Sequence, residues 1–155
     1  LWDAGIVVVT AAGNYGPGKG TVTLPGISKK VITVGASDDD GYYAPYSRVG
    51  TNYSGRGPTF ECVRKPDLVA LGSYITSCNA FYNKKGHKLY SIKSGTSMST
   101  PIVSGAIALL LCKYPDMSNT EVKIRLMLSA DDMGRKVNMQ GHGLLNIEKL
   151  LTMEM

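Results

Sequence analysis

Ser97 lies in the run Ser94-Gly95-Thr96-Ser97-Met98-Ser99-Thr100-Pro101, which leads straight into the apolar segment 102–111. A hydroxyl in that position suits covalent catalysis. The first N–H groups of a helix have no intrahelical partner and the helix dipole makes that end positive, so an oxyanion forming beside Ser97 would meet a waiting donor. Gly95 permits a tight turn and keeps the approach open. The pattern is not a G-x-S-x-G elbow, because Ser99 stands where that motif needs glycine.

The second chemical signal is Gly5-Ile6-Val7-Val8-Val9-Thr10-Ala11-Ala12-Gly13-Asn14, a β-branched run that gives way to small residues and ends on an amide. It reads as a buried parallel strand delivering Asn14 to the carboxyl end of a sheet, where ligands of open α/β sheets bind. An amide there can donate to an oxyanion. Taken singly, each residue has a plainer reading: Asn14 as a turn cap with Gly16, Ser97 as a helix N-cap. The pairing of the two motifs favours catalysis.

Together these residues resemble the subtilisin-like serine peptidases, over nearly the whole chain and in that family's order. Ala11-Ala12-Gly13-Asn14 is similar to the family's strand and oxyanion asparagine, and Gly95-Thr96-Ser97-Met98-Ser99-Thr100-Pro101 to its nucleophile motif. Between them, Val31-Ile32-Thr33-Val34-Gly35-Ala36, Tyr53-Ser54-Gly55-Arg56-Gly57-Pro58 and Lys65-Pro66-Asp67-Leu68-Val69-Ala70-Leu71-Gly72 each resemble a landmark, and Gly141-His142-Gly143-Leu144-Leu145-Asn146 resembles the turn before the last helix. The stretch from Ser54 to Thr59 is closest to intracellular bacterial subtilases.

The family's triad runs Asp, His, Ser along the chain. No Asp-Ser/Thr-Gly or His-Gly-Thr-His pattern occurs here, and the chain opens on Leu1-Trp2-Asp3-Ala4-Gly5. The resemblance therefore implies that residues 1–155 are the C-terminal portion of a subtilase catalytic domain, a single incomplete unit whose N-terminal half is missing. His87 reads as a solvated imidazole in a basic turn and His142 as a loop histidine, so neither is expected to replace the missing base. Without a base, serine is a poor nucleophile at neutral pH. Two alternatives to a peptidase fragment are a pseudopeptidase and a split-protein assembly or regulatory module on the same fold.

For the complete enzyme the resemblance implies acyl transfer to Ser97, with Asn14 and the Ser97 backbone N–H stabilising the oxyanion. It assigns Ala11, Ala12, Gly13, Tyr15 and Thr23 to substrate binding, with Gly95, Thr96, Met98 and Pro101 supporting the nucleophile. Small residues walling an uncharged pocket point to medium-sized apolar side chains before the scissile bond. No cofactor is implied; a structural calcium or monovalent ion has no clear ligands. Asp38-Asp39-Asp40 lacks alternating ligand spacing and reads as a solvated loop, and Asp67 as a residue that orients a loop.

Composition is that of a soluble globular piece. The net charge of +5 is spread through Lys29-Lys30, Arg64-Lys65, Lys84-Lys85 and Arg135-Lys136 without a nucleic-acid motif, so a solvated surface is expected and nucleic acid is not a partner. No segment reaches the roughly 20 apolar residues of a membrane span, so no membrane partner is expected either. The partners expected are a polypeptide substrate and whatever covers the open side of the core, either the missing N-terminal half or a second copy. Cys62, Cys78 and Cys112 form an odd set without metal spacing, with Cys112 expected as a buried free thiol. They favour a reducing, cytoplasmic bacterial compartment, with secretion as the alternative.

The elements that must position these residues follow from periodicity. Strands are expected near 6–11, 31–34, 68–70, 74–78 and 89–92, and an all-round apolar, central helix over 97–113 in which Pro101 falls early enough to be tolerated. Ser118-Asn119-Thr120-Glu121 has capping-box spacing for a second helix to about 129, and Asn146 can cap a third over 147–152. The fold class is α/β: part of a doubly wound, mostly parallel sheet sandwiched by helices. Half a core leaves apolar area uncovered, at roughly 25 cal/mol per Å².

Overall fold

The computed structural model describes residues 1–39, 52–86 and 88–154. The β-branched runs become three short parallel strands, β1 (Val9–Ala11), β2 (Ile32–Ala36) and β3 (Leu68–Ala70), in the spatial order β1-β2-β3. Their register pairs Val9 with Ile32 and Ala11 with Val34, then Val34 with Leu68 and Ala36 with Ala70. Ile32, Val34, Leu68 and Ala70 thus share one face, and α1 (Thr96–Lys113) lies across it through Val103, Ala106, Ile107 and Leu110. Val122 and Leu126 of α2 (Asn119–Ser129) and Leu150 of α4 (Ile147–Thr152) complete this core. Each such side chain, fully buried, contributes about 1.5–3 kcal/mol.

The opposite face carries Thr10, Thr33, Gly35 and Val69, and it is closed by the segments around Gly26, Ser54 and Pro66. Thr33 Oγ1 donates to Gly26 O (2.7 Å), and a Cβ on Gly35 would lie 2.9 Å from Ser54 Oγ and 3.1 Å from Pro66 Cγ. The Ser54 hydroxyl also accepts the Ala36 N–H (3.0 Å), so the covering segment is stitched to the end of β2.

The capping box on α2 forms as the spacing predicts: the Ser118 side chain accepts the Glu121 N–H and Glu121 accepts the Ser118 N–H. Asn146 likewise caps α4 through the Lys149 N–H. The remaining strands, β4 (Ile75–Cys78) and β5 (Tyr90–Lys93), pair with each other as an antiparallel hairpin outside the parallel sheet. A 3₁₀ turn at Trp2–Ala4 and the four-residue α3 (Val137–Gln140) are too short to show a period in sequence.

Four expectations need correction. Helix α1 touches all three strands but is not enclosed: Ser97, Pro101, Ser104, Ala108, Leu109 and Cys112 turn away from the sheet and are exposed. Cys112 is therefore an exposed thiol rather than a buried one, because the 103/106/107/110 stripe takes the sheet and rotates position 112 outward. By length and composition α1 is also apolar enough to cross a membrane, although its inner stripe is committed to the sheet.

The other two corrections concern charge. Lys65, expected on a solvated surface, is fully buried, and its ammonium donates to Asp67 Oδ2 (2.6 Å) and to Val31 O (3.0 Å). Asp38 and Asp39 are not solvated either. Asp38 Oδ1 accepts the Gly72 N–H (2.8 Å) and the Ser73 N–H (3.1 Å), and Asp39 Oδ2 accepts the Ser54 N–H (2.8 Å). Backbone donors that would otherwise be orphaned explain why these carboxylates go inward. Asp40 and His87 lie outside the described residues.

Candidate active site

Strand β1 ends at Ala11, and the chain turns through Gly13, at φ 89, to present Asn14. Helix α1 begins at Thr96, preceded by Gly95 at φ 144, which puts Ser97 in the first turn. Both glycines are demanded by space as well as by angle. A Cβ on Gly13 would lie 2.5 Å from Thr23 Oγ1, and one on Gly95 would lie 3.2 Å from Asn14 Nδ2. The two motifs, far apart in sequence, therefore meet with no atoms to spare.

Thr96 joins them. Its N–H donates to Asn14 Oδ1 (2.9 Å), its hydroxyl donates to the same oxygen (3.1 Å), and that hydroxyl accepts the Gly13 N–H (3.1 Å). Because Oδ1 receives two donors, the amide is oriented with Nδ2 as the free donor, alongside Gly95. Among the described residues no acceptor is bonded to Nδ2. The Ser97 N–H belongs to the first turn of α1, where no intrahelical carbonyl can take it. The Asn14 amide thus sits against the glycine that precedes the helix, and the exposed Ser97 lies in that helix's first turn. Thr96 appears in sequence only as part of the nucleophile motif; its full burial and three hydrogen bonds make it the hinge pin of the site.

Further ties hold α1 in place. Ser99 Oγ donates to Ala70 O (3.1 Å) at the end of β3, and Gly95 N–H donates to Gly72 O (2.8 Å). The Tyr53 hydroxyl is paired with Ser73 Oγ at 2.9 Å, beside the Gly72 carbonyl that holds this turn. Burial pushes that hydroxyl's pKa up to about 12.

The expected substrate-binding residues are only partly gathered. Ala11, Gly13 and Thr23 come together, Thr23 N–H donating to Ala12 O (3.0 Å) with its side chain against Gly13. Ala12 itself is fully buried, so only its backbone can face a ligand. Tyr15 stands out in solvent, 74% exposed. Met98 is half-buried in the first turn, and Pro101 is exposed on the outer side of α1.

Behind this segment lies an ionic cluster that spacing alone does not reveal. Asp67 Oδ2 accepts the Thr33 N–H (2.7 Å) and the Lys65 ammonium, and Asp67 Oδ1 lies 3.3 Å from Lys123 Nζ. Lys123 Nζ in turn donates to Lys29 O (2.7 Å) and Val31 O (2.9 Å). Burial lowers the Lys65 pKa from its ordinary value, opposed by Asp67. Asp67 therefore orients the loop before β2 and has no catalytic geometry. His142 is equally remote: its N–H donates to Asp67 O (2.8 Å), at the start of β3, whereas Asn14 and Ser97 lie beyond the opposite ends of the strands.

One side of Ser97 is open. Val9, Thr10, Ala11, Thr100, Pro101 and Ser104 line a groove of about 410 Å³ with it. A second hollow of about 460 Å³ shares Val9 and Ser104 and continues over Val7, Ile107, Ala108, Leu111 and Met117. Both run along β1, which among the described residues has β2 as its neighbour on one side only. Among the described residues no group of three or more His, Cys, Asp or Glu could hold a metal ion.

Comparison with known proteins identifies the family of this fold. Residues 2–143 match the model of the subtilase family. The serine protease AprX of Bacillus subtilis is 42% identical over 156 residues, covering 95% of this chain and 35% of that protein. Subtilisin DY of Bacillus licheniformis is 35% identical over 149 residues, covering 95% of this chain and 47% of that protein. Among solved structures, the prenylagaramide maturation protease PagA superposes with a TM-score of 0.70 at 27% identity, over 96% of this chain and 50% of that one. The Clostridium perfringens CspB protease gives 0.64 at 28% identity, over 86% and 28%. The chain thus spans less than half the length of these two curated relatives, and with its parallel sheet, its amide at a strand end and its serine at a helix entry it belongs to the subtilase family of serine peptidases.

Proposed function

We propose that this chain is the nucleophile-bearing portion of a serine endopeptidase that cuts peptide bonds through an acyl-enzyme. The observation that carries the reading is the Thr96 bridge, which fixes the Asn14 amide beside the Ser97 turn with Nδ2 left to donate. Ser97 Oγ attacks the substrate carbonyl while its proton passes to a base, the oxyanion is held by Asn14 Nδ2 and the Ser97 N–H, and the amine leaves with the proton returned. Water then repeats the sequence on the ester. Each oxyanion donor is worth on the order of 3 kcal/mol.

The base and the carboxylate that orients it come from a segment of the complete protein outside these residues. The open groove beside Ser97 and the unpaired side of β1 are where that segment, the N-terminal half of the domain, packs; a second copy of the chain is the other occupant able to cover the apolar area. Alone, the chain is inert. Ala11, Gly13 and Thr23, with the Ala12 backbone, form an uncharged wall that favours medium-sized apolar side chains before the scissile bond, and Tyr15 lies at its rim. Three exposed, unpaired thiols favour a reducing cytoplasm over secretion.

Fluorophosphonate labelling of the complete gene product with peptide mapping tests the reading. An adduct on Ser97, absent from Ser97→Ala, is the expected result. A folded complete product that takes no label overturns it in favour of a subtilase fold kept for binding.

A further inference from the structure

The β4–β5 hairpin is anchored on the nucleophile turn. Gly95 N–H donates to Gly72 O (2.8 Å) and Tyr74 N–H to Ser94 Oγ (2.9 Å), so the base of the arm and the turn that carries Ser97 form one unit. The register pairs Thr76 with Ile92 and Cys78 with Tyr90, which places these four side chains on one face. That face is open, with Ile92 65% and Tyr90 61% exposed. At the far end Asn79 builds a defined turn, its Nδ2 donating to Lys88 O (3.0 Å) and its Oδ1 accepting the Phe81 N–H (3.0 Å).

Charge on this arm has a single sign. From Leu68 to Pro115 the sequence contains Lys84, Lys85, Lys88, Lys93 and Lys113 and not one Asp or Glu. The lysines of the far turn, Lys84, Lys85 and Lys88, are exposed. An apolar face bordered by exposed ammonium groups, with no ion pair to these lysines among the described residues, is what an acidic, partly apolar ligand requires. Because the base of the arm is bonded to Ser94 and Gly95, an extended peptide lying along it, from the tip lysines past Tyr90 and Ile92, would run towards Ser97.

We propose that this hairpin is an exosite for polypeptide segments that carry a block of acidic residues beside an apolar or aromatic one. The inference deepens the peptidase reading and rests on it, since it makes the arm a selector of protein substrates. The arm is roughly 13 Å long at about 3.3 Å per residue. An extended chain advances about 3.3–3.6 Å per residue, so the acidic block falls roughly four to seven residues from the scissile bond.

The test uses the complete gene product and paired fluorogenic peptides that differ only in an Asp/Glu or Ser/Asn block at that spacing, on either side of the cleaved bond. A several-fold higher kcat/KM for the acidic peptide at low ionic strength is expected. The preference should vanish at high salt and in Lys84→Gln/Lys85→Gln/Lys88→Gln, with cleavage of the neutral peptide and the melting temperature unchanged. Equal cleavage of both peptides, or a preference that survives the triple substitution, overturns it. Fluorescence anisotropy of the acidic peptide on Ser97→Ala separates this proposal from the peptidase reading: salt-sensitive binding lost in the lysine variant upholds the surface even if nothing is cleaved. Binding to anionic vesicles without any peptide preference overturns it in favour of a lipid surface.

Discussion

At the scale of single residues, the proposed chemistry rests on how Thr96 holds the Asn14 amide. Replacing Asn14 with Leu in the complete enzyme removes one oxyanion donor and is expected to lower kcat about 10²–10³-fold with little change in KM, measured by steady-state kinetics. Thr96→Val keeps the shape and the N–H but deletes the hydroxyl that binds both Gly13 and Asn14. It should lower kcat more than it lowers stability. Tyr53 gives a pH prediction. Its folded pKa of about 12 lies above its ordinary value of 10.0, so the stability this group contributes is fully present below pH 10 and is lost as pH rises from 10 towards 12. Chemical denaturation across that range should show a loss of roughly 2 kcal/mol that Tyr53→Phe abolishes. The placement of Asn14 just beyond a strand and of Ser97 at a helix entry was legible in sequence, because each follows from a local run of residues. The roles of Thr96, Asp38, Asp39 and Lys65 were not, since each depends on a partner more than about 30 residues away or on burial, and neither leaves a periodic trace.

At the scale of elements, α1 both carries Ser97 in its first turn and roofs the sheet, and its seating beside β3 is tight. A Cβ on Gly72 would collide with Ser99 Oγ and come within 2.9 Å of the Ala36 Cβ. Gly72→Ala is therefore expected to cost about 1–3 kcal/mol in a denaturant titration. On α2 the reciprocal bonds between Ser118 and Glu121 make Ser118→Ala worth about 1 kcal/mol, read in the same way. Strands, long helices and caps could be read from the sequence because propensity, period and capping chemistry agree within each. The outward turn of Cys112 could not. An apolar run shows that a helix can be buried, and only the neighbouring elements determine which of its faces is.

At the scale of the molecule, the parallel sheet among the described residues ends at β1, with hollows along that strand, and apolar residues such as Ile6 and Leu109 are half exposed. Light scattering on the isolated chain is expected to show association, and co-expression with the upstream portion of the gene should give a single sharp melt. A monomer that melts cooperatively without it would show that this side needs no cover. The bridge between Asn14 and Thr96 closes a separation of 82 residues, and contacts of that span form late because the chain must first surrender the entropy of the intervening loop. On the peptidase reading proposed above, an oxyanion site closed across such a span would stay unformed while the chain is still unfolded, and completion of the fold would act as its own safety catch against the cutting of sister chains.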